Sequence, residues 1–311
     1  MRKDLRQLFD DFIDEATFIK KLSPETVRGY INTYRTLIKL VPDVSVETLN
    51  TSILTMFFKI LHERKRVVGK ELIKSGIKKS TAASYWCKLN AYFKWLVSKG
   101  HIKANPFEGI QYTGPSYEDK KYLAKHEVEK ILAAIYTEQQ GNILLFKRNV
   151  AIFNILLFCG LRKEELLLLQ IRDIDLERKL LTIRGETSKT RITRQLPLHS
   201  STIMHLKDYL NERRRYSTPY LIVSSNRDNR LTADGLKHLV TKFNKSSKVH
   251  FHLHQFRHTF AVNFLRSTNN ILKLKLLLGH KNINVTMLYL RCLAPHELHG
   301  DIESMRIDTF L

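Results

Sequence analysis

The longest apolar run in the chain, AIFNILLFCGL, spans Ala151–Leu161 and is bracketed by charge: Lys147 and Arg148 precede it and Arg162 follows it directly. It falls well short of the roughly 20 apolar residues that a membrane span requires, so it reads as a helix buried in a globular core. A chain of 311 residues, 43% hydrophobic, has room for one large or two ordinary domains built around such elements.

Periodicity divides the chain into two halves. At the start, Leu5, Leu8, Phe9 and Phe12 recur at helical spacing among charges. Ser23 followed by Pro24 reads as an N-cap with proline at the first helical position, opening a helix with its apolar face on Val27, Tyr30, Ile31, Tyr34, Leu37 and Ile38. Another strong helix begins after Ser80, carries Ala83, Trp86, Leu89, Tyr92, Phe93 and Leu96, and stops at Gly100. Between them lie a weaker helix at about Val46–Leu61 and the basic turn HERKRVVGKELIKSGIKKS, which the pattern places with the helices. The expected organisation is a small helical bundle over residues 1–110, a linker over 111–121 and a second domain over 122–311. The proline- and glycine-rich stretch NPFEGIQYTGPSYEDKK marks the junction. In the second half helices dominate, except that KLLTIRGETSKTRITRQLPLH switches to period two, with Gly185 at a turn. The fold class is therefore mainly α: a helical domain plus a mixed α/β domain with a small antiparallel sheet.

Lys+Arg 52 against Asp+Glu 30 leaves a formal charge of +22, which points to a polyanion and above all to nucleic acid as partner, since each phosphate neutralised releases a counterion. The first residues lack the apolar core and cleavage site of a secretion signal, so the expectation is a cytoplasmic protein with no membrane attachment. Cys87, Cys159 and Cys292 are widely separated and odd in number, which suits reduced thiols.

A set of polar residues stands where packing alone would not put them. Arg162 in GLRKEEL has Glu165 three residues on, so its guanidinium can be fixed by a carboxylate while other donors reach a phosphate. In HLHQFRHTFAV, His254 and Arg257 share a helical face. His254 and His258 have the spacing of a zinc pair, but no glutamate lies between them and no further ligand nearby, so no metal or other cofactor is expected. His280 follows LLG, Tyr289 stands nine residues later on what reads as the next helix, INVTMLYL, and Lys189 lies in the hairpin. Alone, Tyr289 reads as packing with its hydroxyl tied to a neighbour. Together, two arginines, two histidines, a lysine and a tyrosine describe a site that neutralises a phosphodiester with protein cations and attacks it with a phenol.

The ordered set Arg162, Lys189, His254, Arg257, His280 and Tyr289 resembles the tyrosine recombinase, or phage integrase, family, and the helical first half with NPFEGI resembles that family's core-binding domain. Without a recognisable arm-binding domain, the chain is most similar to compact, two-domain Xer-like members. The resemblance implies a site-specific DNA recombinase that cuts and rejoins strands through a 3′-phosphotyrosyl link, without metal or ATP. It makes Tyr289 the nucleophile, Arg162, Arg257 and His280 the phosphate stabilisers, His254 the base and Lys189 the acid that protonates the 5′-oxygen. Arg184, Arg191 and Arg194 crowd the same hairpin, and only the spacing to Pro197 singles out Lys189. Lys163 and Glu164 stand where the family often has small or apolar residues, and Phe256 where it has leucine.

Two other readings share the sequence features: a non-cleaving DNA-binding regulator of the same fold, and a type IB topoisomerase or telomere resolvase. Expected partners are double-stranded DNA carrying a specific site and further copies of the chain, as a tetramer on two sites. In the tail after Tyr289, Ile302, Met305, Ile307, Phe310 and Leu311 sit on a segment too short for its own core and are expected to dock on a neighbouring protomer.

Overall fold

The computed structural model describes residues 3–68, 72–110, 121–137, 141–225, 227–294, 297 and 299–303. The chain divides into two compact units, Met1–Glu118 and Asp119–Leu311.

In the first unit, α1 (Leu5–Asp14) is opened by a capping box in which Asp4 and Gln7 bond each other's backbone. Helix α2 (Pro24–Leu40) is capped by Ser23 and begins on proline as the sequence requires. Helices α3 (Thr51–Glu63) and α4 (Lys79–Ser98) complete the bundle. Leu8, Phe9, Phe12, Leu37, Phe57, Leu61, Leu89, Tyr92 and Phe93 fill its core. Phe9 stacks on Tyr34 with ring centroids 3.9 Å apart and meets Tyr92 edge-on at 5.1 Å. The basic segment after α3 departs from the helical expectation: β1 (Lys65–Val68) and β2 (Leu72–Ser75) pair antiparallel. The β-branched run of Val67, Val68 and Ile73 favours extended chain, and helical packing would have needed an apolar face that the segment lacks. Asn105 and Phe107, on the stretch expected to open the junction, belong to this unit: Asn105 bonds Asn90 and Phe107 is buried in the core. Residues 111–120 of the expected linker lie outside the described residues.

The second unit comprises α5 (Lys125–Thr137), α6 (Ile143–Cys159), α7 (Lys163–Leu167), β3 (Ile174–Asp175), β4 (Leu180–Ile183), β5 (Arg194–Pro197), α8 (Ser200–Glu212), α9 (Ala233–Ser247), α10 (Leu253–Thr268), α11 (Ile271–Leu278), α12 (Ile283–Met287) and α13 (His299–Glu303). The apolar run forms α6, which is buried from Arg148 to Leu156 and packs on α8 and α10. The sheet is antiparallel in the order β3-β4-β5, with Leu181 opposite Leu196 and Ile183 opposite Arg194. Burial alternates along β5, so Arg194 shares the inward face with Leu196. Of the tail, α13 is described and Ile302 on it is exposed, whereas Met305, Ile307, Phe310 and Leu311 lie outside the described residues. Among the described residues no helix is long and apolar enough to cross a membrane.

Candidate active site

At the end of α6 the chain turns through Gly160, which is left-handed with φ of 59°. A Cβ there would lie 2.4 Å from Cδ1 of Phe260, so only glycine lets α6 and α10 approach this closely. The turn delivers Arg162 to the N-terminus of α7, where its backbone N–H donates to Glu165 Oε2 at 3.0 Å and its Nη1 to Oε1 at 2.9 Å. Glu165 is 1% exposed and serves as a hub. Arg194 grips it with both terminal nitrogens, at 3.0 and 2.8 Å, and uses Nε to hold the Leu277 carbonyl at the end of α11. The Ser188 hydroxyl donates to the same carboxylate, and Arg257 Nη1 lies 4.0 Å from it. Burial pushes the Glu165 carboxyl up, but Arg194 and Arg162 outweigh it and hold the group at about 2. One carboxylate shared by three guanidinium groups leaves the cluster positively charged.

Arg257, on the second turn of α10, is 1% exposed. Its Nη1 donates to the Gly160 carbonyl and its Nη2 to the Leu278 carbonyl, each at 2.7 Å, and Nη2 also reaches His280 Nε2 at 3.1 Å. Burial and the charge of Arg162 lower its proton affinity to about 9, which still leaves it a cation at neutral pH. An arginine can only donate, so His280 Nε2 accepts, and the proton on Nδ1 goes to the Thr286 hydroxyl at 2.9 Å. His280 is positioned by Gly279, the left-handed cap of α11.

Tyr289 lies two residues beyond α12 rather than on it: its N–H bonds the Thr286 carbonyl, and a short 3₁₀ turn follows. It is 1% exposed, with its ring among Ala261, Val262, Leu265, Leu274 and Leu278. Its hydroxyl is 2.9 Å from Nδ1 of His258. Burial pushes the phenol up to about 12, while Arg257 and Arg162 pull it back by charge and Arg257 by a hydrogen bond. His254 is exposed, and its ring meets that of His258 edge-on, centroids 4.4 Å apart. Lys189 is exposed in the turn between β4 and β5.

The structure thus gathers Arg162, Arg257, His280 and Tyr289 around one buried network, places His254 at its rim through His258, and leaves Lys189 on the turn whose base Ser188 ties to Glu165. Three participants were not singled out by the sequence. Arg194 appeared only as a rival to Lys189, His258 only as half of a zinc pair, and Thr286 not at all. The alternation that turns Arg194 inward beside Leu196, and the position of His258 one turn after His254, were the available signals.

The chain is similar to known proteins over nearly its whole length. The phage integrase family matches residues 121–295, more than half of the chain, and the phage integrase SAM-like domain matches residues 4–114. Tyrosine recombinase XerC of Bacillus subtilis (strain 168) is 24% identical over 290 residues, spanning 89% of both chains. XerC of Alcanivorax borkumensis (strain ATCC 700651 / DSM 11573 / NCIMB 13689 / SK2) is 27% identical over 293 residues, covering 91% of this chain and 88% of its own. Among solved structures, the Tn1549 transposon integrase in complex with a circular intermediate DNA superposes with a TM-score of 0.75 at 20% identity, over 96% of this chain and 98% of that one. The XerH site-specific recombinase bound to a palindromic difH substrate gives 0.73 at 19% identity, over 94% and 82%.

Fold and family together define a DNA strand-cleaving and rejoining enzyme. The chain belongs to the phage integrase family, and it is a site-specific recombinase of the tyrosine type.

Proposed function

We propose that Tyr289 is the nucleophile, that Arg162, Arg257 and His280 stabilise the pentavalent phosphate, that His254 contacts it from the rim and that Lys189 protonates the departing 5′-oxygen. The observation that carries the reading is the cationic network around Tyr289: two guanidinium groups and an imidazole, all oriented by backbone carbonyls, Glu165 or Thr286, beside a single buried phenol. Charge building on two non-bridging oxygens would be met by donors already in place, the arrangement that lowers a barrier most. The phosphotyrosyl link conserves the energy of the broken bond, so religation to another strand needs neither metal nor ATP.

The substrate in this reading is double-stranded DNA carrying a specific recombination site, engaged by a tetramer on two sites, in the cytoplasm. The charge of +22 supports the first element and the exposed Ile302 on the tail the second. A binding duplex selected from a randomised pool on Tyr289→Phe protein provides the test. Nicked to trap the intermediate, it should give an SDS-resistant adduct with the wild type and none with Tyr289→Phe, although both retain the duplex. Trapping by the phenylalanine protein would assign the nucleophile elsewhere.

A further inference from the structure

We propose that His258, not His254, is the proton acceptor for Tyr289. The inference deepens the reading of Tyr289 as nucleophile and rests on it. A phenol at neutral pH is a weak nucleophile, and burial holds this one further from ionisation, so an acceptor must be in contact with its oxygen when it attacks. The imidazole in contact is His258, whose Nδ1 lies 2.9 Å from the hydroxyl.

Three features of the surroundings suit His258 to the task. It is carried on α10 one residue after Arg257, so the helix that orients the phosphate-binding guanidinium also fixes the base. Its ring is partly buried, whereas that of His254, one turn earlier, is exposed. The ring of His254 meets that of His258 edge-on with centroids 4.4 Å apart, so packing as well as the helix holds the His258 ring in place beside the phenol. The entering phosphodiester supplies the negative charge that then makes proton acceptance favourable.

In the step itself the Tyr289 O–H bond breaks toward His258 Nδ1 as the phenolic oxygen bonds to phosphorus. The bond from phosphorus to the 5′-oxygen breaks, and that oxygen takes a proton from the general acid of the site. Religation reverses each transfer: the 5′-hydroxyl attacks, and His258 returns its proton to the departing phenolate. His254 is then left for the phosphate, so the two imidazoles have separate duties. The competing account of the same contact is satisfaction of a buried hydroxyl, which any hydrogen-bonding side chain would provide.

His258→Asn separates the two, because its amide reaches the position of Nδ1 and preserves a hydrogen bond but cannot take a proton. On the nicked duplex we expect unchanged retention of DNA and adduct formation slower by roughly 10²–10⁴-fold, the usual worth of general-base catalysis. Replacing Tyr289 in the same protein with a tetrafluorinated tyrosine, whose phenol ionises near neutral pH, should restore most of the lost rate. Fluorination should not rescue His254→Asn to the same degree. His258→Asn protein that cleaves at the wild-type rate, or that stays slow with the fluorinated nucleophile, overturns the assignment. These outcomes are separable from failure of the nucleophile reading, which only trapping by Tyr289→Phe would reveal. If His258→Asn does not fold, His258→Gln, whose amide likewise bonds the hydroxyl but takes no proton, is put through the same comparison, and a wild-type rate or a lack of rescue by the fluorinated tyrosine overturns the proposal.

Discussion

Arg194 holds Glu165 in a parallel fork, with Nη1 3.0 Å from Oε1 and Nη2 2.8 Å from Oε2, both side chains almost wholly buried. The fork joins β5 to α7, and the remaining Nε–H joins both to the end of α11, so three separate stretches of sequence meet at one guanidinium group. Removing its charge leaves buried guanidinium groups uncompensated. Glu165→Gln should therefore cost about 3–5 kcal/mol of stability, read from urea unfolding at neutral pH.

The same carboxylate gives a pH signature. Its folded-state value of about 2 is depressed from the ordinary 4.5, so its stabilisation is present in full above the unfolded value and is lost as pH falls toward 2. The linkage is worth on the order of 3 kcal/mol. Urea midpoints of wild type and Glu165→Gln, well separated at pH 6, should converge between pH 4.5 and 2. A gap that persists through that window would mean that the carboxylate is not the source of the difference.

Arg162 and Arg257 should part company on mutation even though both are assigned to the phosphate. Arg162 is partly exposed and is anchored mainly through Glu165, whereas Arg257 also closes the carbonyls of Gly160 and Leu278. Arg162→Ala should slow adduct formation by roughly 10²–10³-fold, the usual effect of removing one transition-state donor, with little change in thermal midpoint. Arg257→Ala should produce a similar or larger rate loss and in addition lower stability by several kcal/mol, because two buried carbonyls lose their donor. Equal thermal midpoints for the two variants would argue against the structural share of Arg257.

How far the site could be read from the sequence follows from this difference. Arg162, Arg257, His280 and Tyr289 stand at spacings that local motifs preserve, and their order alone brings out the set. The helices were legible for a related reason: Ser23-Pro24 and the apolar stripe of α2 are local signals, and their caps and spacing survive folding unchanged. What escaped depends on contacts between distant segments. Glu165 to Arg194 spans 29 positions and His258 to Tyr289 spans 31, and no periodicity encodes either contact. The basic hairpin of β1 and β2 was misread because its charge hid a short β-branched run. Tyr289 shows the limit most clearly: its burial and its hydroxyl bond fit ordinary packing, and only the cations around it argue for chemistry.

Lys189 is testable through its leaving group. The hairpin's other cations are largely committed: Arg194 to Glu165, and Arg184 to Asp173, Glu186 and the Leu168 carbonyl. Lys189 and Arg191 are exposed on the connecting loop, and a lysine ammonium is a far better proton donor than a guanidinium. Lys189→Ala should cleave ordinary duplex very slowly yet recover largely on DNA whose bridging 5′-oxygen is sulfur, because a thiolate leaves without a proton. Absence of recovery would move the role to Arg191 or make Lys189 a positioning group.

The tail offers a test of assembly. Up to Glu297 it is tied to its own unit by an ion pair with Arg266 at 2.8 Å, whereas Ile302 on α13 is exposed. Met305, Ile307, Phe310 and Leu311 follow in the sequence, so further apolar residues lie past the anchored part. At about 25 cal/mol per Å², burying even a few hundred Å² of those apolar side chains on a neighbouring protomer would contribute several kcal/mol before association costs. Deleting residues from Asp301 onward leaves the Arg266 pair intact, so the truncated protein should keep its thermal midpoint and its binding to a single site. Cooperative pairing of two sites and strand exchange should fall sharply, because a contact passed from one protomer to the next would be missing. Native gel shifts with one-site and two-site duplexes separate these readouts. Normal recombination by the truncated protein, or a collapse of its fold, would instead place the tail on its own protomer.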